Sequence, residues 1–517
     1  MSDVVNRITG NFGIWQLRAV LIIYLCKIPS SWFMACVIFT APAPYDDEFY
    51  CKPTHPTEVL YYPTNEPERT GRTLVECKDF EHTASFYSLV MQFNLVCSRE
   101  IFVAWTQFWH LFGVLLGGII ATKMMNYISP RRVMLIGMLS QIVSGCLTGL
   151  VDNFSLHCLF RTTSAICCAL MFTAGGVIFS EITGGRYRTA VATLFDQFWS
   201  IGVILLPGLS SFFVSWSHIY LAITFPTIIL IYLYRWIPDA PRWLLRRGRT
   251  PEVEKILLES AEINERLFAV PRNLTQELQL LAETLKSEQP PANWLRIWTG
   301  RRAIINIIAA HIAFAVYITN FNGMLLNIRS FGRDYLAVNT VITGFSEIVG
   351  CFLALHFTLK TKNKWLCAGI YNIIAGIIGC LGWVFPDSLP ELVRVSLWML
   401  ISSIAKAGVS ISQSMLLACS AELMPPEKKQ IFVFSCIVWA RIWLLSAPFI
   451  NVLKNIDVAM SLSAFSLLSL LGGIATCCLR PEKKESAAEP VEDNRQENNV
   501  APSVWTIPDT LVEKTKF

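Results

Sequence analysis

The sequence predicts an all-α membrane protein whose twelve transmembrane helices form two six-helix pseudo-repeats. Of its 517 residues, 53% are hydrophobic and 16% charged, with a mean hydropathy of +0.46. An ordinary soluble domain carries about 25% charge. Apolar runs long enough to cross a hydrocarbon core of ~30 Å recur along the chain. They divide evenly around one long polar stretch, and the two sets share sequence. Aligning the segment from Ser180 with that from Ala421 superposes Glu181 on Glu422, Arg188 on Lys429 and Pro207 on Pro448 without a gap. Repeated halves of this kind place a substrate site near the midplane at the repeat interface, opened alternately to either side by rocking.

In chain order the spans are expected at 17–40, 103–123, 133–151, 154–179, 189–214 and 217–237, then at 303–323, 336–359, 366–386, 393–419, 431–452 and 457–479. An even count puts both termini on one side. That side is expected to be the cytoplasm, because its short loops carry Lys123, Arg131, Arg132, Arg186, Arg188, Lys360, Lys362, Lys364, Lys428 and Lys429. Arg329, Arg333, Arg394 and Lys454 are the minority on the other side. The net charge of +5 therefore reports topology, and nucleic acid is not implied.

The expected organisation is a first half at 1–237 containing an external loop at 41–102, a cytoplasmic linker at 238–302 with two short amphipathic helices, a second half at 303–480, and a disordered cytoplasmic tail at 481–517. The N-terminus lacks the small-residue cleavage site of a removable signal, so the first span is expected to be retained. Most of the sixteen cysteines lie in apolar spans and read as packing residues. Cys51, Cys77 and Cys97 instead share the external loop, where an oxidising compartment would let two of them pair. No CxxC or HExxH spacing is present, and no metal, cofactor or enzymatic chemistry is expected. The chain ends Thr515-Lys516-Phe517, a pattern that suits a PDZ groove.

Ionisable residues at mid-span are few: Lys27, Arg161, Asp196, Glu347, Lys406 and Arg441. A charge near the bilayer centre costs roughly 2.5–3.5 kcal/mol on insertion scales, so each should face a partner or a cavity. Cations outnumber anions in this set, which favours a positive cavity. Arg441, at the middle of its span, falls opposite Ser200 in the repeat and so belongs to the second half only. Phe314, Tyr317 and Phe321 share one helical face, and Trp199 and Trp443 flank the cavity in their own spans. Such rings could pack the bundle or stack on the organic body of a substrate.

Five segments carry a resemblance over nearly the whole chain: FYSLVMQFNLVC before span two, GVLLGGI within it, SEITGGRYR after span four, PDAPRWLLRRGR after span six and SAELMPP after span ten. With these the sequence resembles the organic cation, organic anion and carnitine transporter family of the major facilitator superfamily. Gly323 and Asn327 fit that family's element at the end of span seven, and Glu347 fits its span-eight glutamate. The loop after span two departs from the family pattern. It reads NYISPRR, with Asn126 in place of the acidic residue and Pro130 in place of a basic one.

The resemblance implies a major facilitator fold and a plasma-membrane, multi-pass transporter of small amphipathic organic ions. An arginine at the place of Arg441 resembles the anion- and carnitine-transporting members, and Lys406 resembles the lysine of span ten. The expected substrate-binding residues are Arg441, Lys406, Tyr317, Phe321, Glu347 and Trp199, and the expected gating residues are Glu181, Arg188, Arg131, Arg132 and Glu422. An organic anion or zwitterion is preferred. The alternatives are an organic cation carrier using Glu347 and the aromatic rings, and a non-transporting receptor or scaffold in which the altered loop reflects a lost gate.

Overall fold

The computed structural model describes residues 4–42, 49–51, 80–82, 84–96, 99–287, 298, 301–331, 333–384, 388–424 and 426–480. Among the described residues, eleven helical segments are long and apolar enough to span a membrane: Ile14–Thr40, Ile101–Met125, Pro130–Leu150, Phe154–Ile182, Gly185–Ser210, Trp216–Trp236, Arg302–Arg329, Leu336–Lys360, Glu391–Cys419, Ile431–Lys454 and Ala459–Cys477. The shorter apolar helix Lys364–Cys380 completes twelve passes. Hydropathy had carried this ninth pass on to 386, but the α-helix ends at Cys380 and continues as one 3-10 turn through Val384. The only strands among the described residues are Phe49–Cys51 and Phe80–His82, an antiparallel ribbon within the loop after the first pass. Cys77 and Cys97 and the side chain of Cys51 lie outside the described residues, as does the tail from Pro481.

Several passes are interrupted, and prolines account for two of the breaks. A proline removes its own N–H and its ring meets the carbonyl four residues back. Pro29 lies four residues after Leu25, where the first helix of pass one stops before Lys27–Ala35 begins. Pro448 lies four after Leu444, where the eleventh pass stops before Ala447–Ile450. The fifth pass also divides, at Phe195 and Asp196. Helix starts are capped from sequence: Ser129 Oγ accepts from Arg132 N at 3.4 Å with Pro130 at the first helical position, and Asn153 Oδ1 accepts from Ser155 N at 2.9 Å. Pro130, the departure in the NYISPRR loop, is thus a helix-starting residue.

Small residues set the closest helix approaches. A Cβ on Gly113 would lie 2.4 Å from Thr162 O, and one on Gly117 2.7 Å from Ile166 O, so the second pass lies against the backbone of the fourth. Gly118 has no neighbour within 4 Å. Gly113→Val is therefore expected to destabilise the protein by about 1–3 kcal/mol through overpacking, while Gly118→Val leaves stability unchanged. Thermal unfolding of the two variants in detergent would check this, and equal midpoints would contradict it.

On one face of the bundle the helices Val4–Thr9, Pro241–Arg246, Thr250–Ile263 and Leu274–Ser287 enclose a small core of their own, with Val5, Ile8, Leu244, Leu257 and Leu278 fully buried. We call this the linker face. The PRWLL segment joins it to the first half. Glu181 Oε2 accepts from Arg242 N at 2.9 Å, Trp243 Nε1 donates to Met125 O at 2.6 Å, and Asp239 Oδ1 accepts from Arg131 N at 3.4 Å. Asp239 thereby puts a carboxylate at the start of the third pass, close to where the NYISPRR loop lacks one.

The two halves meet along two seams. Pass five runs against pass eight: Cys351 Sγ donates to Thr193 O at 3.1 Å, Gln197 Nε2 to Ile348 O at 3.5 Å, and Gly344 lies under Ile204. Pass two meets pass eleven at the opposite face, where Phe449 packs on Trp105 and Phe108 with ring centroids 5.3 and 5.9 Å apart.

Candidate functional site

The mid-span charges fall into three arrangements. Lys27 and Asp196 form an ion pair at 3.1 Å, each sitting where its own pass is interrupted. Interrupted helices at membrane depth are tolerated where they line a cavity or are buried in protein. The Lys27 ammonium also lies 4.3 Å from the Phe195 ring centroid, 5.0 Å from Phe172 and 5.8 Å from Trp199. Three rings and a carboxylate thus surround one cation.

Glu347 and Lys406 form the second arrangement. Both are 1% exposed, with Lys406 Nζ 2.9 Å from Glu347 Oε1. Ser200 Oγ donates to Glu347 Oε2 at 2.7 Å, and Lys406 Nζ donates to Phe321 O while lying 3.8 Å from the centre of that residue's ring. The carboxylate is held from both halves, since Ser200 is on pass five and Lys406 on pass ten. Arg161, fully buried, donates to neutral groups, Nη2 to Gln107 Oε1 at 2.7 Å and Nη1 to the Tyr220 hydroxyl, while its Nε has no partner among the described residues.

Arg441 is the exception. Half-buried, it lies 5.4 Å from the Phe172 ring centroid and makes no hydrogen bond or ion pair among the described residues. Asp196 attracts it from beyond ion-pair distance while paired with Lys27, and Glu347 is paired with Lys406. Phe172 lies against both Arg441 and Lys27, so the guanidinium sits beside the first ion pair.

The other expected substrate residues separate. Phe321 and Trp199 pack in one cluster beside Lys406, and the Trp199 Nε1 is enclosed without a hydrogen-bond partner. Tyr317 points elsewhere: its hydroxyl bonds Thr476 Oγ1 and, at 3.4 Å, Gly472 O, in the packing of pass seven on pass twelve. The expected gating residues act within a half or on the linker. Glu181 accepts from Arg242 and Trp243, and Glu422 pairs with Lys364 at 3.0 Å. Arg188 Nε donates to Thr183 O at 3.1 Å, Arg131 stacks 4.8 Å from the Tyr234 ring, and Arg132 N is capped by Ser129.

Sequence reasoning left the Lys27 cage out of the site. Pro29, just after Lys27, and the acidic Asp196 in the otherwise apolar fifth pass were the available signals, but nothing in the sequence joins positions 169 residues apart.

Paired six-helix halves that meet around buried mid-span charges are the architecture of a membrane transporter. The chain belongs to the Major Facilitator Superfamily, whose family model matches residues 83–440. It is 26% identical to "Organic cation transporter protein" of Drosophila melanogaster over 95% of this chain and 94% of that protein. It is 24% identical to "Solute carrier family 22 member 3" of Mus musculus over 95% of each chain, and 23% identical to "Organic anion transporter 3" of Sus scrofa over 95% and 93%. The resemblance to organic cation and anion transporters thus holds over the whole chain, and the protein is a transporter and not an enzyme. In fold it is similar to the xylose transporter XylE from E. coli in a partially occluded inward-open conformation, with a TM-score of 0.64 at 14% identity over 89% of this chain and 98% of that one.

Proposed function

We propose that this transporter carries small amphipathic organic anions or zwitterions across the plasma membrane by rocking residues 1–237 against 303–480, with both termini cytoplasmic. The single observation behind the preference for a negative group is the guanidinium of Arg441, which forms no ion pair among the described residues and lies beside a Lys27–Asp196 pair that already cancels. A guanidinium fork can take a carboxylate through two parallel hydrogen bonds, which fixes the substrate's orientation as well as its charge. Phe172, Trp199 and Phe321 supply apolar walls for its organic body. Glu347 and Lys406 hold passes eight and ten together beside Phe321, with Ser200 reaching them from the other half, so this contact must be remade in each rocking cycle. The terminal Thr515-Lys516-Phe517 would offer its carboxylate to a PDZ-domain partner.

A second reading has one observation of its own. The Lys27 ammonium sits among three rings and Asp196, an environment that would also suit a quaternary ammonium. Uptake of labelled p-aminohippurate, carnitine and tetraethylammonium by expressing cells separates the readings. Saturable uptake of either of the first two is expected. Saturable uptake of tetraethylammonium alone would establish the cation reading, and no saturable uptake of any organic ion would return the protein to a receptor or scaffold role.

A further inference from the structure

A narrow cleft lies at the face opposite the linker, between the two halves. Glu100 and Gln107 line it from the first half, and Arg329, Asn451, Val452 and Lys454 from the second. Arg441 is not among its lining residues.

Its charge is unbalanced in the same sense as the surroundings of Arg441. Lys454 Nζ stands 3.6 Å from a Glu100 oxygen, wider than the roughly 2.7–2.9 Å of a charge-assisted hydrogen bond. Arg329 forms no hydrogen bond or ion pair among the described residues, and its Nε is shut off from solvent with no partner. A shielded guanidinium donor with nothing to donate to is costly, and an incoming oxyanion would relieve that cost. Two cations, Arg329 and Lys454, therefore share the one carboxylate of Glu100 at a seam both halves share.

We propose that this cleft is a second binding site, for an organic monocarboxylate, in which Arg329 and Lys454 take the carboxylate group and Glu100 is displaced from Lys454. On the topology proposed above the cleft opens outward, so a ligand meets it before Arg441. Because its lining comes from both halves, opening or closing this face changes its affinity. The ligand class rests on the anion reading of Arg441, but the cleft and its charge do not.

The test uses the full-length protein at the cell surface, with Val452→Cys as a reporter inside the cleft. Two membrane-impermeant thiol reagents are compared, the anionic 2-sulfonatoethyl methanethiosulfonate and the cationic 2-(trimethylammonium)ethyl methanethiosulfonate. Rates are corrected for labelling of the unsubstituted protein and for each reagent's rate with a free thiol. The anionic reagent is expected to react about tenfold faster or more, as for other charge-lined clefts. Arg329→Gln should collapse that ratio toward one, and Arg329→Lys should keep it. Labelling reports only molecules at the surface, so a variant present at lower level still yields its rate.

Millimolar p-aminohippurate is expected to slow labelling of Val452→Cys, alone and combined with Arg441→Ala, but not when combined with Arg329→Gln. Equal corrected rates for the two reagents would overturn the site. So would protection that persists with Arg329→Gln and disappears with Arg441→Ala, which would place the ligand at Arg441 alone. Protection that persists with Arg441→Ala, in a protein that takes up no p-aminohippurate, would support the cleft while removing the transport reading.

Discussion

Replacing Arg441 with alanine is expected to reduce carboxylate uptake about a hundredfold or more while leaving the amount of protein at the cell surface unchanged. The size follows from hydrogen bonds to a charged group, worth about 1.5–3 kcal/mol each, with every 1.4 kcal/mol a factor of ten. The unchanged surface level follows from the absence of a partner: no carboxylate of the protein is stranded when this guanidinium goes, because Asp196 and Glu347 keep Lys27 and Lys406. Arg441→Lys should retain part of the uptake, since it restores the charge but not the two-pronged geometry. Uptake of p-aminohippurate or carnitine, normalised to surface biotinylation, measures both quantities. Undiminished uptake by a surface-localised Arg441→Ala protein would remove the residue from the substrate site.

The opposite pattern is expected for the Glu347–Lys406 pair. Here each charge is 1% exposed and depends on the other, so truncating either one leaves a buried charge uncompensated, at a cost of about 3–5 kcal/mol. Lys406→Met and Glu347→Gln should each lower the thermal midpoint and the surface level. The double variant should recover most of both, because it removes the two charges together and keeps their approximate volumes. Melting of the detergent-solubilised single and double variants, followed by fluorescence-detected size exclusion, provides the comparison. Destabilisation in the double variant equal to the sum of the singles would show that the pair does not act as a unit. Arg441 and Lys406, both cations at mid-span, are thus expected to fail in different ways.

The number and order of the passes were legible because lipid imposes a local rule: every backbone polar group must be satisfied within the helix that crosses, and the crossing needs about twenty apolar residues. Where the helix ended earlier than the hydropathy, at Cys380 in the ninth pass, the sequence continued apolar beyond the last α-helical turn. The gapless repeat likewise showed that Ser200 and Arg441 occupy equivalent places. What it did not show is that Ser200 reaches Glu347 across the seam while Arg441 faces Phe172 and remains unpaired.

The ring stripe on pass seven was readable as a helical face, yet the face divides. Phe321 lies beside Lys406, whereas the Tyr317 hydroxyl is committed to pass twelve. Periodicity tells which side chains share a face, and only the neighbouring helix decides what that face meets. The N-terminal helix Val4–Thr9 and its burial against the linker helices were missed for a related reason, since a six-residue helix carries too little period to register.

By itself the sequence determined that this protein crosses the membrane twelve times, that its halves are repeats, and which six charges lie at mid-depth. Those properties follow from windows of about twenty residues and from direct comparison of one half with the other. Only the tertiary structure decided which charges neutralise one another, because Lys27 meets Asp196 and Glu347 meets Lys406 through helices far apart in the chain, and a pairing energy exists only at a few ångströms. Arg441 was visible from the start as a charge in an apolar span. That it forms no ion pair among the described residues is a property of the packed bundle.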